Sequence, residues 1–211
     1  MAEDGELVES GTFRVDRKRA LEKLKEFQLP DPTMFPLTWL RCAVASGATK
    51  ITIQINEAKT QLTMSFDGRP FAAGELKDPY GCLLDESTPE NARNRHLAVG
   101  ILAALRLGPP MMLKVTSGTD SERRCLYIDS LEQESLGEAK WPSHGTVLEA
   151  TFSGYWAHWK AVLESVVRQY PVEMRTAQLR VIEPAGLQAK TEREIPEQPQ
   201  SLKLAFSDGS V

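Results

Sequence analysis

The feature that most constrains the fold is an alternation of apolar and polar residues in two neighbouring runs. Isoleucines occupy every second position from Ile51 to Ile55, and apolar residues do so again from Leu62 to Phe66. Successive side chains of a strand point to opposite faces, so each run predicts a strand with one buried face. The polar segment 56–59 between them predicts a turn, and the two runs therefore predict a hairpin.

Helical periodicity is found on both sides of this hairpin. Asp16 is expected to cap the first helix, and Pro36 to open the second in its first turn. Gly47 is expected to end that second helix. Helices are predicted over residues 16–28, 36–46, 91–105 and 155–170.

Strands that lie next to one another in the chain favour an α+β fold, because a parallel α/β sheet needs single strands alternating with helices. We therefore predict a two-layer α/β sandwich, with a mixed, mostly antiparallel sheet and helices on one face. The irregular segment 74–95 is long for a plain connection and is typical of a functional lid. Beyond the hairpin, strands are predicted over 111–116, 123–129, 146–152 and 178–183.

The chain divides into three parts by composition. Residues 1–12 are acidic and predict a flexible arm, and residues 13–183 predict one domain. Residues 184–211 predict a C-terminal strand, over 202–206, or a linker. We see no internal repeat in the sequence.

Length, charge and cysteine content narrow the class of protein. The chain has 211 residues, enough for a substantial core, and a net charge of −4, which argues against a nucleic-acid partner. Its three cysteines are odd in number and show no CxxC spacing, so we expect neither a disulfide framework nor a zinc site. No apolar run approaches about twenty residues, so we expect no membrane segment and a cytoplasmic location.

Three short motifs follow one another in the chain. An Asp67–Gly68 turn ends the predicted hairpin, Gly100 lies in an apolar helical run, and Gly145–Thr146 begins a later strand. Together with the segment 40–53, this order resembles the ATP-binding domain of the gyrase, heat-shock-chaperone, histidine-kinase and MutL (GHKL) superfamily.

The resemblance covers roughly residues 13–183 and implies the Bergerat-type ATP-binding fold. It also implies nucleotide-binding roles for residues that match the family's motifs. Asp67 would accept a hydrogen bond from the adenine amino group in the Asp67–Gly68 turn, Thr146 would support the adenine site, and Gly100 would lie near the phosphates. The two glycines that follow the aspartate in the family pattern are absent here, where the chain reads Arg69-Pro70-Phe71.

The same resemblance implies that the hydrolytic groups are missing. In the family a Glu activates water and an Asn four residues later holds magnesium. Alignment on Gly47 places Thr38 and Cys42 at those positions, and the resemblance therefore implies that both residues belong to the nucleotide-binding site. Thr38 is no general base near neutral pH, and a thiol is a poor ligand for magnesium, which prefers oxygen. We therefore assign no catalytic residue and no metal ligand, and we expect ATP or ADP without magnesium.

Other interpretations of each motif remain open. The Asp67–Gly68 turn is also typical of an ordinary hairpin end, and Gly100 of a core helix. The run Arg93–Arg95 fits either phosphate contacts or, preferably, a solvated charged face.

The function predicted is a degenerate GHKL-type ATP-binding-like domain without efficient hydrolysis, which acts as a nucleotide-sensing or scaffold module. One alternative is an active ATPase or kinase domain of a larger chaperone-like protein, with acids drawn from the lid segment. Another is a nucleotide-free protein-interaction module. A protein partner of unknown identity is expected, and a dimer is compatible with the pattern. The acidic residues available in the lid segment are Glu75, Asp78, Asp85 and Glu86.

Overall fold

The computed structural model describes four α-helices and eight strands within residues 16–56, 60–108, 111–119, 122–139, 145–152, 178–182 and 192–194. The helices are α1 (Arg17–Phe27), α2 (Phe35–Ala45), α3 (Ala73–Lys77) and α4 (Ala92–Leu105). The strands are β1 (Lys50–Asn56), β2 (Gln61–Phe66), β3 (Met111–Ser117), β4 (Arg124–Ser130), β5 (Gln133–Glu138), β6 (Thr146–Phe152), β7 (Gln178–Ile182) and β8 (Glu192–Glu194). The predicted helix over 155–170 and the possible strand over 202–206 lie outside the described residues.

All eight strands belong to one sheet, in the order β5-β4-β3-β6-β2-β1-β7-β8. Every neighbouring pair is antiparallel except β1 and β7, which are parallel. The fold class is therefore α+β with a mostly antiparallel sheet, as the clustering of strands in the sequence predicts.

The buried face of the sheet follows the alternation in the sequence. Ile53 pairs with Met64, Met64 with Leu148, and Leu148 with Val115, so these four side chains share one face. They belong to the same hydrophobic cluster as the buried side chains of α1, α2 and α4. The described helices thus cover the apolar face of the sheet.

The predicted ends of α1 and α2 are confirmed. The Asp16 carboxylate accepts a hydrogen bond of 3.3 Å from the backbone N–H of Arg19 at the start of α1. Pro36 lies in the first turn of α2, where its missing N–H leaves no bond unmade. Gly47 follows α2 with a φ of +76°, a conformation that ends helices and suits glycine.

The structure also holds elements that periodicity did not predict. The segment 74–95 is ordered around α3 and a short 3-10 turn, Gly81–Leu83, before α4 begins. β5 adds an edge strand beside β4, and β8 pairs with β7 within the segment predicted as a strand or a linker. No described helix combines the length and apolar character needed to span a membrane.

Candidate functional site

The segment 40–53, the Asp67–Gly68 turn and Gly145–Thr146 meet at one end of the sheet. The Asp67–Gly68 turn follows β2, and Phe66, the last residue of β2, pairs with Thr146 at the start of β6. The turn also contacts the end of α2, where the N–H of Arg69 donates to the carbonyl of Ser46 at 2.8 Å. The helix, turn and strand that the resemblance relates to one another are therefore neighbours in space.

The Asp67 carboxylate is held by the start of β1. Oδ1 accepts hydrogen bonds from the backbone N–H groups of Thr49, at 2.7 Å, and Lys50, at 2.9 Å. Oδ2 accepts from the Thr49 hydroxyl at 2.6 Å. Asp67 is exposed, and the slight desolvation of its carboxylate works to raise its pKa, but the bonds from Thr49 and Lys50 lower the pKa on balance, so the group is a carboxylate at neutral pH. A carboxylate oxygen can accept two bonds, so Oδ2 retains one acceptor position.

Gly68 and Gly145 allow the backbones around Asp67 to approach closely. Gly145 has a φ of +84°, and a Cβ there would lie 3.1 Å from the Cα of Asp67. A Cβ on Gly68 would lie 2.9 Å from the backbone N of Ala48, just beyond α2. Both glycines therefore serve the packing of the turn between α2 and β6.

Thr146 is fully buried and takes part in a chain of hydroxyl contacts. Its Oγ1 lies 2.7 Å from the Oγ of Ser117, at the end of β3. Ser117 Oγ in turn accepts a bond of 2.8 Å from the N–H of Phe71. The segment after Asp67 is thus tied to both β3 and β6. Sequence reasoning missed Ser117 because a serine at a strand end carries no motif.

The two residues at the hydrolytic positions of the family lie on α2 and are buried. Thr38 Oγ1 donates to the carbonyl of Phe35 at 2.6 Å, so the hydroxyl is used within the helix. Cys42 is fully buried, and this burial raises the pKa of its thiol to about 12, although the charge of Arg93 opposes the shift. Neither side chain offers a base or an anionic ligand at neutral pH.

Gly100 lies in the middle of α4 and not at a turn that enters a helix. A Cβ at this position would lie 2.5 Å from Thr38 Oγ1 and 2.5 Å from Trp39 Nε1. The structure therefore brings Gly100 and Thr38 together through direct helix packing. This close contact between α2 and α4 gives Gly100 a packing role, which agrees with the interpretation of Gly100 as part of a core helix.

The interpretation of the Arg93–Arg95 run as a solvated face is wrong for Arg93, which is buried. Its side chain is 1% exposed and forms an ion pair with Glu75. It donates to the carbonyls of Arg69, at 3.1 Å, and Pro70, at 3.0 Å. Its guanidinium lies over the ring of Phe71, with Cζ 4.1 Å from the ring centre. The residue holds the segment after Asp67 against the start of α4.

Arg95, two residues later in α4, also donates to backbone carbonyls. Its Nη1 donates to the carbonyls of Cys82, at 2.6 Å, and Asp85, at 3.0 Å. Arg95 therefore fixes the segment 74–95 through backbone carbonyls, whereas Arg93 contacts that segment through the Glu75 side chain. Neither presents its guanidinium as an open phosphate contact, because both are engaged within the chain.

Two acidic residues of the segment 74–95, Glu75 and Asp78, form ion pairs within the chain. Glu75 accepts from Asn94 Nδ2 at 2.9 Å and pairs with Arg93. Burial works to raise its pKa, but the bonds from Asn94 and the Ala72 N–H and the charge of Arg93 lower it on balance. Asp78 pairs with Arg17 of α1. Among the residues that the structure describes, no three His, Cys, Asp or Glu side chains form a group that could hold a metal ion.

The chain matches no family model, and no curated protein matches it.

Proposed function

We propose that this chain is a degenerate GHKL-type, Bergerat-fold domain that binds an adenine nucleotide at Asp67 and does not hydrolyse it efficiently. Its role would be that of a nucleotide-sensing or scaffold module that acts on a protein partner.

The observation that carries the proposal is the meeting of α2, the Asp67–Gly68 turn and Gly145–Thr146 at one end of the sheet. Phe66 pairs with Thr146, and Arg69 donates to Ser46. The free acceptor position on Asp67 Oδ2 suits the exocyclic amino group of adenine, and a hydrogen bond to a charged group contributes about 1.5–3 kcal/mol.

The lack of efficient hydrolysis follows from the side chains on α2. General-base catalysis needs a group with a pKa near the working pH, and the Thr38 hydroxyl has none. The Cys42 thiol stays protonated because its pKa is raised to about 12. Glu75, the acid of the segment 74–95 that lies beside Arg93, is already paired.

A second candidate function is a protein-interaction module that binds no nucleotide. It is favoured by two contacts that fill family binding positions with protein atoms. Asp67 already accepts three hydrogen bonds from Thr49 and Lys50. Gly100 packs directly on Thr38 and Trp39. In this case the module would act through its surface alone.

Thermal unfolding and phosphate release test the proposal together. We expect ADP and ATP to raise the melting temperature of the full chain equally with and without magnesium, since no magnesium ligand is supplied by α2. We expect phosphate release from ATP to equal the buffer blank. Stabilisation by neither nucleotide would favour the interaction module. Magnesium-dependent phosphate release would favour the active ATPase and overturn the proposal.

A further inference from the structure

A second buried arginine, Arg123, borders the site described above through Gly145 and has donors that no hydrogen bond within the described part of the chain uses. Arg123 immediately precedes β4 and is 3% exposed. Its Nη2 donates to the carbonyl of Gly145 at 3.1 Å. Its Nε and Nη1 are buried and have no hydrogen-bond partner among the described residues.

The head group of Arg123 is set in place by its backbone. The carbonyl of Arg123 accepts a bond of 3.3 Å from the N–H of Ala139. A Cβ on Gly118 would lie 2.7 Å from the Cα of Arg123, so the end of β3 packs directly on this residue. With the bond to Gly145 as well, the guanidinium is held at the end of the sheet.

A guanidinium keeps its charge throughout the physiological pH range, so it cannot reduce the cost of burial by losing a proton. A buried donor without an acceptor is costly, and the cost is larger for a charged group. Nε and Nη1 are closed to bulk water, so their acceptors have to be enclosed with them. None of the ion pairs among the described residues includes Arg123.

We propose that Arg123 binds an anionic ligand, a phosphate or carboxylate group that is enclosed beside Gly145 at this end of the sheet. The planar N–H donors of arginine match the oxygens of both groups. The Nε–H and Nη1–H groups would donate to these oxygens, while Nη2 donates to the Gly145 carbonyl. This site goes beyond the proposed adenine site, because it uses Arg123 and makes no use of the Asp67 carboxylate.

Nitrogen-15 NMR of the side-chain Nε–H signals of the full chain tests the proposal. Pyrophosphate serves as the phosphate probe and malonate as the carboxylate probe, and the Arg123 signal is identified by its loss in Arg123→Lys. We expect that signal to shift saturably with one of the two probes at millimolar concentration. The probe that succeeds identifies the chemical source of the anion. Failure of both to shift the signal would overturn the proposal.

Calorimetry with the successful probe supplies the affinity. We expect Arg123→Lys to weaken binding by about tenfold or more, because a point charge replaces the planar donors. Arg41→Gln, which removes a charge from an exposed residue of α2, serves as the matched control and should leave the affinity within about twofold. An equal loss in both variants would show general charge attraction and overturn the site.

The anion site and the adenine site can fail separately. ADP titration of Arg123→Lys reports on the adenine site alone, and pyrophosphate or malonate titration of Asp67→Asn reports on the anion site alone. We expect each variant to retain the other ligand. Loss of anion binding in a folded Asp67→Asn variant would contradict the separation of the two sites.

Discussion

The guanidinium of Arg93 stacks on the ring of Phe71, with Cζ 4.1 Å from the ring centre. This contact joins the start of α4 to the segment that leaves the Asp67–Gly68 turn. The same arginine is paired with Glu75 of α3, so one buried cation joins both Phe71 and α3 to the start of α4.

Removal of the Arg93 charge should destabilise the fold strongly. Arg93→Met keeps much of the apolar stem but leaves Glu75 without its cation, and the loss of one partner of a buried pair costs about 3–5 kcal/mol. Because Glu75 is partly exposed, we expect a loss toward the lower end of that range. The free energy of unfolding in urea measures the effect.

Arg17→Met is the matched control, since it breaks the exposed ion pair between Arg17 and Asp78. We expect that variant to lose less than about 1 kcal/mol. Similar losses in the two variants would show that the burial of Arg93 does not increase the contribution of its ion pair to stability.

Substitution of Gly100 should reveal how tightly α2 and α4 pack. Alanine is the better helix former by about 1 kcal/mol. At Gly100, however, its Cβ would lie 2.5 Å from both Thr38 Oγ1 and Trp39 Nε1. Overpacking of a core costs about 1–3 kcal/mol, so we expect Gly100→Ala to lower the melting temperature.

Gly74→Ala provides the control within the same chain. Gly74 lies in α3 and a Cβ there would meet nothing within 4 Å. Only the gain in helix propensity remains, so this variant should be neutral or slightly more stable. A Gly100→Ala variant as stable as Gly74→Ala would contradict the close contact between α2 and α4.

The helices and strands that could be predicted from the sequence are those marked by a local pattern of residues. The alternation from Ile51 to Ile55 predicted β1 and its buried face, and the capping position of Asp16 predicted the start of α1. β5 was missed because Leu136 is its one strongly apolar residue and is 39% exposed at the sheet edge, so no alternation marks the strand.

Residues of the candidate site whose surroundings the sequence does not show depend on distant partners. Arg93 reads as part of a charged run because its acceptors at Arg69 and Pro70 lie more than twenty residues earlier in the chain. Gly100 carries no local sign that Trp39 packs on it. The approach of the Asp67–Gly68 turn to Gly145–Thr146 results from the pairing of β2 with β6, a long-range contact that neither segment encodes alone.

Stability should fall at acid pH through the carboxylate of Glu75. Its pKa in the fold lies below the ordinary 4.5, because the bonds from Asn94 and Ala72 and the charge of Arg93 outweigh the opposing effect of burial. A lowered pKa means that the carboxylate stabilises the fold above about pH 4.5 and that this contribution is lost as the pH falls through the folded value.

Urea unfolding of the wild type and of Glu75→Gln between pH 7 and pH 3 measures that contribution. We expect the wild type to be the more stable at pH 7 and the difference to shrink below about pH 4.5, because glutamine does not titrate. Asp67, whose pKa is also lowered, stays in both proteins and cancels in the comparison. A difference that is constant with pH would contradict the role of the Glu75 charge.

Calorimetric titration of the full chain with ADP tests the central claim most directly, with wild type compared against Asp67→Asn. Asparagine can still accept from the N–H groups of Thr49 and Lys50, so the turn should keep its conformation. Asp31→Asn, at an exposed cap before α2, is the control for loss of one negative charge. We predict that wild type and the control bind ADP alike and that Asp67→Asn binds about ten- to a hundredfold more weakly. Equal ADP affinity in wild type and a folded Asp67→Asn variant, or no ADP binding by the wild type, would contradict adenine recognition at Asp67.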